Sequence, residues 1–249
     1  MDKVIHYCWF GGAPLTATAE KALASWRKFA PDYQIVRWDE SNVKLDACRF
    51  LKGAYDARRW AFVSDYVRFL TLYNHGGIYM DVGTILIKDI EPLVALAPFT
   101  AQEYQTRTAN PGLIACCEKH DPVVKEILDI YESLTFEDNN EYFDTHTVNE
   151  ITTGVLEKYG YERVLGAQRV GSWTVLSYEC FNPVYGLGGY HIKDNTYSVH
   201  EGSASWQKPM ERSKQQFVRK YAPYIGKRPA EIAGRIIWEF KRFIRRNSK

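Results

Sequence analysis

Residues 64 to 83 hold the densest set of side chains able to do chemistry: Ser64-Asp65-Tyr66-Val67-Arg68, then Gly76-Gly77-Ile78-Tyr79-Met80-Asp81-Val82-Gly83. Asp65 and Arg68 lie three apart, so on a helix they share a face. Around them run two apolar stripes, Trp60, Val63, Val67 and Leu70 on one side and Phe62, Tyr66, Phe69 and Tyr73 on the other. A helix apolar on two faces is deeply packed, and an acid and a base buried in it need partners. Asp81 follows a short apolar run and falls at a strand end. In open α/β sheets, ligands sit outside the carboxyl ends of strands. A carboxylate there can hold a divalent cation, and the cation can neutralise a diphosphate. The same residues also suit a structural ion pair and a turn acid, and spacing alone leaves both readings open.

The elements that must position these residues follow from periodicity. Val4 to Phe10 reads as a buried strand stopped by Gly11-Gly12, Leu15 to Phe29 as a helix with Leu23 and Trp26 inward, and Tyr33 to Trp38 as a second strand. This βαβ start predicts an α/β fold. Ala54 to Asn74 reads as one long helix ended by Gly76-Gly77, and Ile78 to Met80 and Thr84 to Ile87 as short strands. Further strands are expected at Phe99 to Gln102 and Leu113 to Cys116, and a helix over Pro122 to Leu134. Thr147 and Glu150 have capping-box spacing, which predicts a helix from Val148 to Tyr159. Residues 161 to 208 read as short strands and loops, and Pro229 opens a basic amphipathic helix to Arg246.

Composition narrows the classes. The chain has 249 residues and a net charge of only +2, which argues against a nucleic-acid binder. Eight Lys/Arg against two Glu fall in the last 23 residues, a charge of +6 that leaves −4 for the rest. Five cysteines, an odd number without CxxC spacing, point away from a disulfide framework or zinc site and toward a reducing compartment. The start, MDKVIHYCWFGG, shows no signal pattern, and no apolar run reaches the ~18–20 residues that span a bilayer. A cytoplasmic protein is expected, at the inner face of the plasma membrane if its tail meets lipid.

The stretch SDYVRFLTLYNHGGIYMDVG, with IHYCWFGG, Ser25-Trp26, Pro31-Asp32-Tyr33 and Trp60-Ala61-Phe62 before it and His200…Ser205-Trp206 after it, resembles the DXD-containing glycosyltransferases of family 32. That group includes bacterial capsular-polysaccharide transferases and fungal initiating mannosyltransferases, and is related to the large glucosylating toxins. The resemblance runs over residues 3 to 208. It implies a GT-A fold, with a mostly parallel central sheet flanked by helices, over residues 1–208, and a basic helical extension over 209–249. It implies a nucleoside diphosphate sugar donor, here a UDP-sugar, and transfer with retention to a hydroxyl of an oligosaccharide or lipid-linked acceptor. Carried over residue by residue, Trp9 stacks on the donor base and Asp65 and Arg68 bind the donor sugar. Tyr79 lies near the donor, and Asp81 is the first Asp of the motif. Ser205 and Trp206 belong to a loop closing over the diphosphate, and His200 joins Asp81 at a divalent metal, Mn²⁺ or Mg²⁺.

Gly83 departs from that pattern, because it stands where the second Asp of DXD belongs. Three readings follow. Asp81, His200, diphosphate and water hold the metal; cations such as Lys193 or Lys208 replace it; or the protein binds donor without turning it over. A toxin-like transfer to a protein hydroxyl is a further alternative. Smaller signals have plain readings: His6 as a strand residue in the core, His75 as a helix-end residue, Cys116-Cys117 as core packing. Glu103 and Asn110 flank a strand loop near the sheet edge, where an acceptor is a conceivable neighbour. In the tail, Ile232, Ile236, Ile237, Phe240, Phe243 and Ile244 oppose a basic face. Such a helix either packs on the domain or lies on an anionic membrane surface. On the second reading, deleting residues 229 to 249 abolishes flotation with anionic vesicles and leaves donor hydrolysis intact. Unchanged flotation selects the first.

Overall fold

A computed structural model describes residues 1–137, 146–185 and 189–201, and within the tail residues 221, 225, 226, 229 and 232–237. The chain divides into two compact units. One comprises Met1–Pro183 with Ile192–Glu201; the other comprises Val184–His191 with Gly202–Lys249.

The first unit is built on a seven-stranded sheet of order β2-β1-β3-β6-β5-β8-β7. Its strands are β1 (Val4–Cys8), β2 (Gln34–Trp38), β3 (Gly77–Tyr79), β5 (Phe99–Gln102), β6 (Ala109–Cys117), β7 (Gln168–Val170) and β8 (Trp173–Leu176). β1 pairs in parallel with β2 and β3, and β5 with β8, while β6 and β7 run against their neighbours. Five of the seven strands therefore point one way. This is the expected α/β architecture with a mostly parallel sheet. Beside it, β4 (Thr84–Leu86) pairs antiparallel with β11 (Ser198–His200). In the second unit β9 (Val184–Tyr185) pairs antiparallel with β10 (Gly189–Tyr190).

Helices cover both faces of the sheet. α1 (Ala17–Phe29) starts where Thr16 accepts the Ala19 N–H, and buries Leu23 and Trp26 as expected. α2 (Arg49–Asp56), α3 (Trp60–His75), α5 (Pro122–Ser133) and α6 (Val148–Glu157) contribute to one core. α1 supplies the other, with the short α4 (Glu91–Val94) and α7 (Tyr178–Phe181). Strand alternation sends Ile78 and Met80 into the α1 core and Tyr79 into the α3 core. α6 is capped by Thr147, as its spacing predicts.

One expectation needs correction. The long helix from Ala54 is two helices, broken at residues 57–59, where Arg58 takes a φ of 54°. Apolar periodicity continues across the break because both helices bury side chains in one core, so hydrophobicity does not register the turn. Thr84 to Leu86 is a strand, as expected, and it stands outside the main sheet. Thr84–Leu86 leaves it to pair with β11, a partner more than a hundred residues away. Of the expected tail helix, residues 232–237 are described and helical.

α3 ends at Gly76-Gly77, with φ values of 66° and 89°. A Cβ at Gly77 would lie 2.5 Å from Val4 Cγ1 and 2.9 Å from Val4 O. Gly77→Ala should therefore cost about 2–4 kcal/mol, from the left-handed backbone and the clash together. Chemical denaturation reads this directly, and an unchanged midpoint would contradict it.

Candidate functional site

α3 packs against β1, β3, α2 and α5, which forces Asp65 and Arg68 inward. Tyr79, the last residue of β3, points to the same side, and Asp81 follows it at the carboxyl end of the strand. The four side chains meet. Arg68 Nη2 lies 3.0 Å from Asp65 Oδ1 and 3.3 Å from Asp81 Oδ1. The Tyr79 hydroxyl donates to Asp81 Oδ1 at 2.9 Å, and the Arg68 guanidinium stands 5.0 Å above the Tyr79 ring. Arg68 Nε also donates to the Ser64 carbonyl.

Exposure assigns the roles within this cluster. Arg68 is 4% exposed and Asp65 13%, whereas Asp81 is 38% exposed. Asp81 is the member that faces solvent, and the other two lie beneath it. One guanidinium thus serves two carboxylates, and the buried one bears the cost. Burial pushes the Asp65 carboxyl up to about 7, against the pull of Arg68 and with the help of Asp81. Burial opposes the charge on Arg68, yet Asp81, Tyr79 and Asp65 hold it above its ordinary range. Burial, followed by Asp81, keeps the Tyr79 hydroxyl well above 10, so it donates as a neutral phenol. Burial also lifts the neighbouring Cys8 thiol to about 12, which makes it packing rather than a nucleophile.

The turn after Asp81 is fixed from several sides. Thr84 N donates to Asp81 O, Trp26 Nε1 to Thr84 O at 2.7 Å, and Leu86 N to Ser25 Oγ at 2.9 Å. Ser25 and Trp26 thus act as anchors of the Asp81 strand. Gly83 carries no positive φ; packing keeps it bare. A Cβ there would lie 2.8 Å from His200 Nε2 and 3.2 Å from Glu201 O. The β4–β11 pair and the Glu201 N to Gly83 O hydrogen bond of 2.8 Å set His200 in that place. Glu201 is also tied to Lys21 at 2.7 Å.

The expected site residues divide accordingly. Asp65, Arg68, Tyr79 and Asp81 come together, and His200 lies against Gly83. Trp9 follows β1, one strand over from Asp81; it is half-buried, with its indole N–H donated to Ala13 O at 2.7 Å. Ser205, Trp206 and Lys208 lie outside the described residues, and Lys193 is engaged by Glu179. Asn149 donates to Glu103, while the Asn110 amide oxygen accepts from its own strand. His6 is buried, with Gly76 O and Trp38 as partners. Surface cavities of about 290 and 210 Å³ are lined by Val43, Tyr55 and Lys52, and by Trp38, Asn74 and His75; neither includes Asp81. Sequence reasoning missed Gly112, although a glycine within a strand pattern marks a close approach.

Among the described residues, no group of three or more His, Cys, Asp or Glu side chains converges on a metal position. Asp81 Oδ1 already accepts from Arg68 and Tyr79, and Gly83 offers no side-chain donor. These residues do not by themselves fit the two-carboxylate centre that a DXD motif supplies.

Residues 16–100 match the family model described as a glycosyltransferase sugar-binding region containing a DXD motif. Asp65, Arg68, Tyr79 and Asp81 all fall within that match. A solved structure described as "PaToxG Glycosyltransferase" superposes with a TM-score of 0.51 at 20% identity, covering 63% of this chain and 69% of that one. Another solved structure, of a glycosyltransferase involved in the glycosylation of the major capsid of PBCV-1, gives 0.46 at 15% identity, over 85% and 98% of the two chains. No curated protein matches the sequence. The fold resembles that of the first of these structures, and the segment matching the family model carries the charged cluster.

The raised Asp65 carboxyl has a consequence for stability. A folded-state value above the unfolded one gives stability that is full below about 4 and lost as pH rises through about 7. Asp65→Asn cannot titrate, so its melting temperature relative to the unsubstituted chain should climb between pH 4 and pH 8. A difference independent of pH would show that Arg68 keeps Asp65 ionised throughout.

Proposed function

We propose that the chain transfers a sugar from a nucleoside diphosphate sugar, a UDP-sugar, to a hydroxyl of an oligosaccharide or lipid-linked acceptor in surface polysaccharide synthesis, with retention of configuration. One observation carries the reading: a solvent-facing carboxylate, Asp81, is held at the carboxyl end of a parallel strand by a buried Arg68, inside the segment that matches a sugar-binding region. Trp9, at the end of the adjacent strand, stacks on the base. Asp81 meets the donor. Asp65 offers its narrow exposed edge to a sugar hydroxyl, and Arg68 works from beneath by fixing both acids.

The acceptor hydroxyl attacks the anomeric carbon from the face on which the diphosphate leaves, as the bond to the diphosphate breaks, and its proton passes to the departing phosphate oxygen. The transition state is oxocarbenium-like, so preorganised groups around the leaving group and the ring supply much of the rate. A loop containing Ser205 and Trp206 that excludes water would suppress donor hydrolysis. A divalent cation, Mn²⁺ or Mg²⁺, with Asp81 and His200 as its protein partners, belongs to the same proposal. The basic tail is proposed to hold the enzyme at an anionic membrane. Ile232 and Ile236, both 61% exposed on a helix, support that placement.

A second reading, a protein that binds the donor without turning it over, is favoured by Gly83 and by the packing of His200 against it.

Release of nucleoside diphosphate from a panel of UDP- and GDP-sugars, with Mn²⁺, with Mg²⁺ and with EDTA, tests both. Metal-stimulated release establishes the transferase and a metal at Asp81. Release that survives EDTA keeps the transferase and removes the metal. UDP binding without release from any donor, in the presence of oligosaccharide acceptors, supports the silent binder. In an active enzyme Asp81→Ala should lower kcat at least about 100-fold. Trp9→Ala should mainly raise the donor KM. Equal, small losses in both would contradict these roles.

A further inference from the structure

β6 does not run straight along β5. Thr100 pairs with Ala115, but the next residue, Ala101, pairs with Asn110. Residues 111–114 are thereby released from the ladder, an irregularity of the kind that re-aims groups beside active sites. The released segment reaches Asp81. The Gly112 carbonyl accepts the Asp81 N–H at 2.8 Å, and the Thr84 hydroxyl donates to the Gly112 and Leu113 carbonyls at 3.4 and 3.2 Å. On its other side the segment is closed by Asn110, whose Oδ1 accepts from Gly112 N at 3.0 Å and Leu113 N at 3.3 Å.

Gly112 has no positive φ, so its backbone admits any residue. Space does not. A Cβ on Gly112 would collide with Asp81 Oδ2 and lie 3.1 Å from Asp81 Cγ and 3.2 Å from Arg68 Nη1. The carboxylate rests where a side chain would be.

We propose that Gly112 is a positioning residue: the irregular segment of β6 presents a bare Cα as the seat of the Asp81 carboxylate. The seat completes a three-sided hold. Arg68 and Tyr79 take Oδ1, the Gly112 carbonyl takes the main-chain N–H, and the bare Cα leaves Oδ2 its place. Asp81 is the exposed member of the cluster, and without such a hold it would sample other rotamers. The catalytic consequence rests on the glycosyltransferase reading; the contact itself does not.

The test is a double-substitution cycle read in two ways. Gly112→Ala alone should lower the melting temperature by about 4–8 °C. In an Asp81→Ala background the same change should lower it by less than about 2 °C, because the colliding carboxylate is gone. Asp81→Ser serves as the background if Asp81→Ala does not fold. In turnover of the donor found active above, Gly112→Ala should reduce kcat about 30- to 100-fold, with the donor KM and calorimetric UDP affinity changed less than about threefold. An equal fall in melting temperature in both backgrounds overturns the proposal, and so does wild-type kcat in Gly112→Ala. If the unsubstituted chain turns over no donor, the glycosyltransferase reading fails separately, and the melting cycle alone decides whether Gly112 seats Asp81.

Discussion

A single buried guanidinium organises this molecule's chemistry. Arg68 is nearly inaccessible, and a charge in that position is tolerable only with partners in place. Asp65 comes from the same helix, one turn back, so α3 alone provides it. Asp81 comes from the next strand, and it can reach Arg68 only if α3 ends abruptly and the chain returns into the sheet. The two glycines with positive φ at the end of α3 make that return within two residues. The ion pairs, the helix end and the strand register are therefore one constraint seen from three places.

The surrounding structure extends that constraint outward. Ser25 and Trp26 on α1 hold the strand that follows Asp81, and β11 closes over Gly83 with His200. β6 abandons its regular ladder so that a glycine can lie beneath the Asp81 carboxylate. These contacts leave one acid pointing outward with little freedom. The missing second acid at position 83 belongs to the same packing. With His200 and the Glu201 carbonyl against it, a side chain at position 83 would have to displace the His200 ring, so the departure from DXD is coupled to the neighbouring strand.

Much of the site was legible before any coordinates. Asp65 and Arg68 stood out as polar residues in a helix apolar on two faces, and Asp81 as an acid at a strand end. Both signals are local, since periodicity places a side chain on a face and strand length places it at an edge. The break at residues 57–59 was not legible, because α2 and α3 bury side chains in the same core and the apolar pattern runs through. The departure of Thr84–Leu86 from the main sheet was equally hidden. Its partner lies at Ser198–His200, and strand pairing at that separation leaves no periodic mark.

By itself, the sequence determined the α/β class, the helix and strand bearing the charged cluster, the glycine turn between them and the basic character of the tail. Each depends on residue type and on spacing within a few turns of chain. Tertiary structure alone decided which of the clustered charges faces solvent, why position 83 is glycine and what holds Asp81 in place. Those answers depend on Gly112 and His200, which reach the site through strand pairing over long stretches of chain. Exclusion of a side chain is a property of the space around a residue, and that space exists only once the distant strands have met.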